Sequence, residues 1–221
     1  GMDAWALTDH GNGNGLAHAY SHFSKLNKKG IKYRQLYGVE FYFVPSLDGW
    51  RVDYEGHKQE IKDARSNRQK LKKILESTDI DADEESAGGL IIENEDETKS
   101  FDVNKDEWKR RYHLVVLAKN RVGLSNLFTL VKKSYKDGFY RFPRIDFNLL
   151  NQHSEGLIVS TACIGGIYSN KILRGRSQGK SEEEIVKELL NLTDRFTDCV
   201  GVENFFLELQ FNSLEAQHHV N

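Results

Sequence analysis

The chain has 221 residues, of which 38% are hydrophobic and 29% charged, an ordinary composition for a globular protein able to bury a sizeable core. Its net charge of -2 excludes a strong overall positive field for gripping nucleic acid, and two cysteines are too few for a disulfide framework, which points to a reducing, cytoplasmic setting. No window approaches the roughly 20 apolar residues of a membrane-spanning helix, so no membrane contact is expected.

Residues 4–8 (AWALT) form a short apolar run that predicts a buried strand, and it ends in Asp9 and His10 before the glycine-rich segment GNGNG. Residues 16–30 predict a helix with Leu16, Ala19, Tyr20, Phe23 and Leu26 on one face, lysines in the last turn and Gly30 as the stop. Residues 36–44 (LYGVEFYFV) are aromatic and β-branched, hence a strand that ends before Pro45. Together these make a βαβ unit.

From 50 to 110 the character changes. Residues 57–78 read as a charged surface helix, and 79–89 and 93–100 are acidic and turn-rich, so this region is expected to be a partly mobile insertion. Regular alternation resumes with a strand at 112–120. A helix over 123–138 follows, with Leu124, Leu127, Phe128 and Val131 inward and Gly138 closing it. Residues 156–166 predict another strand running into a turn. Ser181 begins a Ser-x-x-Glu capping pattern, and 204–211 predict a last strand. Five strands alternating with helices point to an α/β fold with a mainly parallel sheet or barrel.

In such folds catalytic side chains gather where strands hand over to loops, exposed yet rigidly held. His10 occupies that place, with Asp9 beside it. Glu40 lies inside an apolar strand, where a carboxylate is costly to bury unless it is paired or bound to metal. His113 opens one strand and Cys163 follows another. Each has a plain alternative: a solvated edge for Glu40, a core hydrogen bond for His113, a small buried hydrophobe for Cys163. As a group they offer mixed oxygen, nitrogen and sulfur donors for a metal. His18 and His22 have helical spacing but lack the zincin glutamate, and read as surface residues. GNGNG between a strand and a helix also admits a nucleotide-phosphate reading, with Glu40 toward a ribose, although the spacing is not Gly-x-Gly-x-x-Gly.

The segments ALTDHGN, YGVEFYFVP, YHLVVLAKNRVGLSNLFTLVKKSYKDGFYRFPRID, SEGLIVSTACIGG and ENFFLELQF, in that order, resemble the PHP (polymerase and histidinol phosphatase) domain of bacterial replicative DNA polymerases, the C-family DNA polymerase III alpha subunits. The resemblance covers most of the chain outside 50–110. It implies a distorted (β/α)7 barrel, incomplete here, with a core of 2–49 and 111–221 and the charged insertion between them. It also implies a divalent metal centre (zinc, manganese or iron) with His10, Glu40, His113 and Cys163 as ligands and Asp9 supporting them. The family's upstream His-x-His and its final Asp-x-His have no counterpart in this sequence, so an internal portion with a partial ligand set is expected. The implied function is a metal-dependent phosphoesterase module of a nucleotidyltransferase. In some relatives it serves as a 3′–5′ proofreading exonuclease and in others as a non-catalytic scaffold. The implied partners are DNA and replisome subunits, and a homodimer of this chain is expected from an unpaired sheet edge.

Overall fold

Seven strands share one sheet in the computed structural model, which describes residues 3–77 and 109–221. The spine is β2 (Arg34–Phe43). One of its edges pairs antiparallel with β3 (Tyr112–Ala118), from Tyr37 opposite Ala118 to Phe43 opposite Tyr112. Its other edge is shared end to end: β1 (Ala4–Leu7) pairs parallel with 34–37, and β5 (Phe142–Ile145) pairs parallel with 42–43. Beyond β3 lie β6 (Leu157–Ser160), antiparallel to it, and then β7 (Phe205–Phe206), parallel to β6. A tight hairpin sets β4 (Phe139–Tyr140) against β5, with Arg141 between them in the left-handed region at φ 57.

The sequence pattern predicts a mainly parallel sheet, and the sheet is mixed, because β3 runs against both of its neighbours. Among the described residues the pairing path is open from β4 to β7. The expected βαβ unit is present: α1 (Leu16–Lys28) joins β1 to its parallel neighbour β2.

One face of the sheet is the core. Val39, Phe41 and Phe43 on β2, Leu114 and Val116 on β3, and Val159 on β6 are fully buried. Against them pack Leu127 and Leu130 of α4 (Arg121–Asp137), Leu150 of α5 (Phe147–Gln152), and Leu192 and Phe196 of α7 (Glu182–Val200). Each such side chain contributes about 1.5–3 kcal/mol by leaving water. Several helices start on side-chain caps. Asn120 accepts from Gly123 N, and Ser181 and Glu184 form the reciprocal box that the Ser-x-x-Glu spacing predicts. Asp146 caps α5 through Leu149 N and also accepts from Leu47 N, at 2.9 Å each, so one buried carboxylate ties two segments together.

Three expectations change. On α1 the buried residues are Leu16, Ala19 and Phe23, whereas Tyr20 is 60% exposed. On α4 the buried stripe is Gly123, Leu127, Leu130 and Ser134, which turns Phe128 outward. The last strand is only two residues long. Beyond it Glu208 follows the end of β6 through side chains, taking Ser160 Oγ at 2.6 Å while its own N–H donates to Thr161 Oγ1.

Two helices precede the acidic stretch, α2 (Leu47–Gly56) and α3 (Lys58–Ser77), and Trp50 and Ile61 are buried on them. The acidic segments 79–89 and 93–100 lie outside the described residues. No helix among the described residues is long and apolar enough to cross a membrane. Two short-to-moderate helices complete the chain, α6 (Ile167–Ser177) and α8 (Glu215–Val220).

Candidate metal centre

The other face of the sheet carries the polar cluster. Because side chains alternate along a strand, Glu40 and Tyr42 face away from the core that Val39, Phe41 and Phe43 fill. His10 reaches the same place by continuing along the β2 edge where β1 stops. Glu40 N donates to Asp9 O at 3.1 Å and Gly11 N donates to Glu40 O at 2.8 Å, so His10 and Glu40 form an isolated parallel bridge. The chain must then turn sharply. Gly11 has φ +66, and a Cβ there would sit 2.8 Å from the Pro143 ring.

His113 opens its strand, although site residues belong at carboxyl ends. The reversed direction of β3 resolves this, because its amino end lies beside the carboxyl end of β2, with His113 opposite Tyr42. In that register Glu40 is the diagonal same-face neighbour of His113, within reach of a polar side chain. Cys163 arrives from the carboxyl end of β6 through a tight turn in which Ala162 has φ 58 and Gly166 N donates to Cys163 O. His113 N anchors that turn by donating to Gly165 O at 3.0 Å.

The result is a compact group. Donor atoms of His10, Glu40 and His113 all lie within 4.8 Å of one another. His113 Nδ1 is 2.7 Å from Glu40 Oε1 and 3.3 Å from Cys163 Sγ, and His10 Nδ1 is 3.8 Å from the same Glu40 oxygen. Cys163 therefore joins the group through His113, and its sulfur also accepts Gly165 N at 3.4 Å. Tetrahedral sites with bonds of about 2.0–2.3 Å set their donors about 3.3–3.8 Å apart. The 3.8 Å and 3.3 Å spacings meet that range, and the 2.7 Å hydrogen bond is the one a cation would replace. The donor chemistry, two imidazoles and a carboxylate with a thiol alongside, suits zinc, manganese or iron.

Burial works against the charged form of His113, but hydrogen bonds to Cys163 and Glu40, reinforced by their charges, win and push its pKa up to about 9. The His10 ring stacks on Tyr42 with centroids 5.9 Å apart and meets His113 edge-on at 5.2 Å. Arg111, 7% exposed, lies over Tyr42 and, at 4.0 Å, over Phe142. Sequence reading missed Tyr42 and Arg111. The one available signal was the alternation of β2, which puts Tyr42 on the Glu40 face.

Asp9 has another engagement. Its carboxylate accepts from Gly15 N at 2.7 Å, supplying a cap at the start of α1, where the N-cap residue is itself a glycine. The GNGNG segment is likewise occupied: Gly11 N and Gly15 N serve Glu40 and Asp9, and Asn14 N donates to Asn12 Oδ1. A phosphate cradle needs such N–H groups aimed outward. Those three N–H groups are therefore turned to the protein's own acceptors and not to a phosphate. His18 and His22 are exposed on α1, as expected of surface residues.

The PHP domain family matches residues 1–212. The chain is 30% identical over 221 residues, its whole length, to the DNA polymerase III subunit alpha of Treponema pallidum, of which it spans 13%. It is 31% identical over 223 residues to the protein of the same name from Aquifex aeolicus, again over all of this chain and 14% of that protein. A similar subunit from Borreliella burgdorferi is 41% identical over 116 residues, which is 52% of this chain and 9% of the relative. The chain thus spans a small part of each relative.

Proposed function

The chain belongs to the PHP domain family, and from that premise we propose that it is a metal-binding, phosphoesterase-type module of a DNA polymerase III alpha subunit. In the intact polymerase it would work beside DNA and replisome subunits, with 3′–5′ proofreading as its exonuclease role. Its compartment would be the cytoplasm, in keeping with the two free cysteines, Cys163 and Cys199. The full architecture would be a (β/α)7 barrel of which the open mixed sheet is a part.

The observation that carries this reading is the convergence of His10, Glu40 and His113 from three separate strand ends. When bound there, a divalent cation polarises a phosphoryl oxygen and makes water a stronger nucleophile. The chain's own residues do the rest. His10 and His113 present ring nitrogens, Glu40 an oxygen, and Cys163 stands beside His113 to complete or adjust the donor set. Tyr42 fixes the plane of His10, and the Gly165 carbonyl pins the backbone of His113. Deprotonation of His113 must accompany metal uptake, since its Nδ1 is bonded to Glu40 beforehand.

A second reading has its own support. The 2.7 Å His113–Glu40 bond satisfies the cluster internally, as a structural network would. We therefore propose that this chain binds at most one cation and hydrolyses phosphoesters negligibly by itself. Manganese, zinc or iron(II) titration followed by thermal unfolding tests both parts. Saturable stabilisation by at least one of these metals, with no chelator-sensitive cleavage of a DNA oligonucleotide, is the expected outcome. Unchanged melting with all three metals contradicts metal binding. Rapid chelator-sensitive cleavage contradicts the inactive state.

A further inference from the structure

Between Asp9 and Glu40 the chain has no acidic residue, yet it carries Lys25, Lys28, Lys29, Lys32 and Arg34. Five positive charges against a total of -2 leave the rest of the molecule at -7, so this one βαβ unit is a local exception to an acidic chain. All five cations are exposed. Gln35 donates to Leu16 O and so faces α1, which sends its neighbour Arg34 to the other side of β2. The patch proper is therefore the four lysines at the end of α1 and in the loop after it. A helix C-terminus favours nearby cations, which accounts for Lys25 and Lys28. It does not account for Lys32 or for the missing acids. Among the described residues, no side-chain hydrogen bond or ion pair engages any of the four lysines.

Two further features make this a built surface. The loop is fixed: Gly30, at φ +83, donates to Asn27 O at 3.0 Å, and Ile31 N donates to Leu26 O at 3.1 Å. The Asn27 side chain then clasps Tyr33 from both sides, with Nδ2 donating to Tyr33 O at 3.1 Å and Oδ1 accepting from Tyr33 N at 2.9 Å. Lys29 and Lys32 are thus held on an ordered backbone. Beside them runs a row of rings. Tyr33 stacks on Phe23 with centroids 5.2 Å apart, and Trp5 meets Phe23 edge-on at 5.9 Å. Phe23 is buried, but Trp5 is 44% exposed. A large ring left in water beside unengaged lysines suits a partner that offers both negative charge and flat apolar faces. A nucleic-acid single strand offers both, because its bases are free to stack. A duplex hides them, and an acidic peptide supplies charge alone.

We propose that the end of α1 and the loop 29–33 form a binding surface for single-stranded DNA, with Lys25, Lys28, Lys29 and Lys32 on phosphates and Trp5 stacked on a base. The choice of DNA over RNA rests on the polymerase reading above, whereas the surface rests on charge and the exposed ring. The patch is separate from the metal cluster. α1 starts where Gly15 N meets Asp9, and its 13 residues carry the chain about 20 Å away.

The test is fluorescence anisotropy of a labelled oligo-dT of about 12 nucleotides, titrated with the chain in EDTA over a range of salt. Saturable binding is expected, with a slope of log affinity against log salt of about -2 to -3, as three or four phosphate contacts on a single strand require. Lys28→Gln combined with Lys32→Gln should flatten that slope by about 1.4 and weaken binding at least about tenfold at low salt, without moving the melting temperature. Trp5→Leu should weaken binding about fivefold or more and leave the slope intact, and Trp5→Phe, which keeps a ring against Phe23, should restore most of the loss. His10→Ala should bind like the wild type, so failure of the metal reading leaves this surface standing. Absence of saturable binding overturns the proposal. So does equal affinity for a duplex of the same length, tighter binding of an RNA strand or of poly-glutamate, or a slope that the lysine variant leaves unchanged.

Discussion

The two faces of β2 and β3 are built from alternate residues of the same strands, yet they obey different rules. Toward the helices, Val39, Phe41, Phe43, Leu114 and Val116 are fully buried and make no polar demands. Toward the His10–Glu40–His113 cluster, Glu40, Tyr42 and His113 are tied by specific distances and by a raised pKa. The first face decides whether the chain folds, and the second decides what the folded chain can hold. A one-residue slip of register would exchange them, so the apolar face also fixes the polar one.

Substitutions on the core face should separate the two roles most forcefully. Phe41→Ala or Phe43→Ala removes a fully buried ring and should cost about 3–5 kcal/mol, read by denaturant unfolding. Metal binding should fall only in proportion to the unfolded fraction. A smaller loss is expected from Asp146→Ala, which strands Leu47 N and Leu149 N together. About 2–4 kcal/mol is expected from the lost cap and the two unpaired donors, and a loss below about 0.5 kcal/mol would show that the carboxylate does not tie the segments.

On the cluster face the order reverses. Glu40→Gln keeps size and hydrogen-bonding capacity and should change stability by less than about 1 kcal/mol, while weakening metal binding at least about tenfold. Comparable affinity for metal in the variant would remove Glu40 from the site. Acidity offers a gentler probe of the same face. Because the folded pKa of His113 is raised to about 9, its contribution to the stability of the metal-free chain is complete below its unfolded value near 6.5. It is lost as pH climbs from there through about 9. His113→Gln should flatten that slope in pH-dependent unfolding, and an unaltered slope would mean the proton sits elsewhere. The smallest signal expected is self-association. Phe206, Leu207, Leu209, Phe211 and Leu214 are each exposed along residues 206–214, and light scattering at high concentration should detect a dimer that Phe211→Ser weakens.

Legibility in the sequence follows the same division. Apolar runs revealed β1, β2, β3 and β6, and the Ser-x-x-Glu spacing revealed the start of α7, because burial and capping leave local signatures; β1 was expected to be buried, yet none of its residues is, and Trp5 is 44% exposed. The direction of β3 is a tertiary fact with no such signature, and only it explains why His113, at the beginning of a strand, sits beside Glu40 near the end of another. β5 escaped notice because Pro143 interrupts a strand of only four residues, and α6 because its run contains polar residues and Gly175. Residue types nominated the cluster members correctly as neighbours, but Asp9 shows the limit: only coordinates reveal that its carboxylate holds the start of α1.

The central claim is that His10, Glu40 and His113 share a cation. X-ray absorption of the zinc- or manganese-loaded chain tests this directly, by counting nitrogen, oxygen and sulfur neighbours around the ion. About one ion per chain with two imidazole nitrogens and a carboxylate oxygen is the predicted result, with the imidazole signal halved in His10→Ala. An ion with no imidazole neighbours, or a spectrum that His10→Ala leaves untouched, would contradict it.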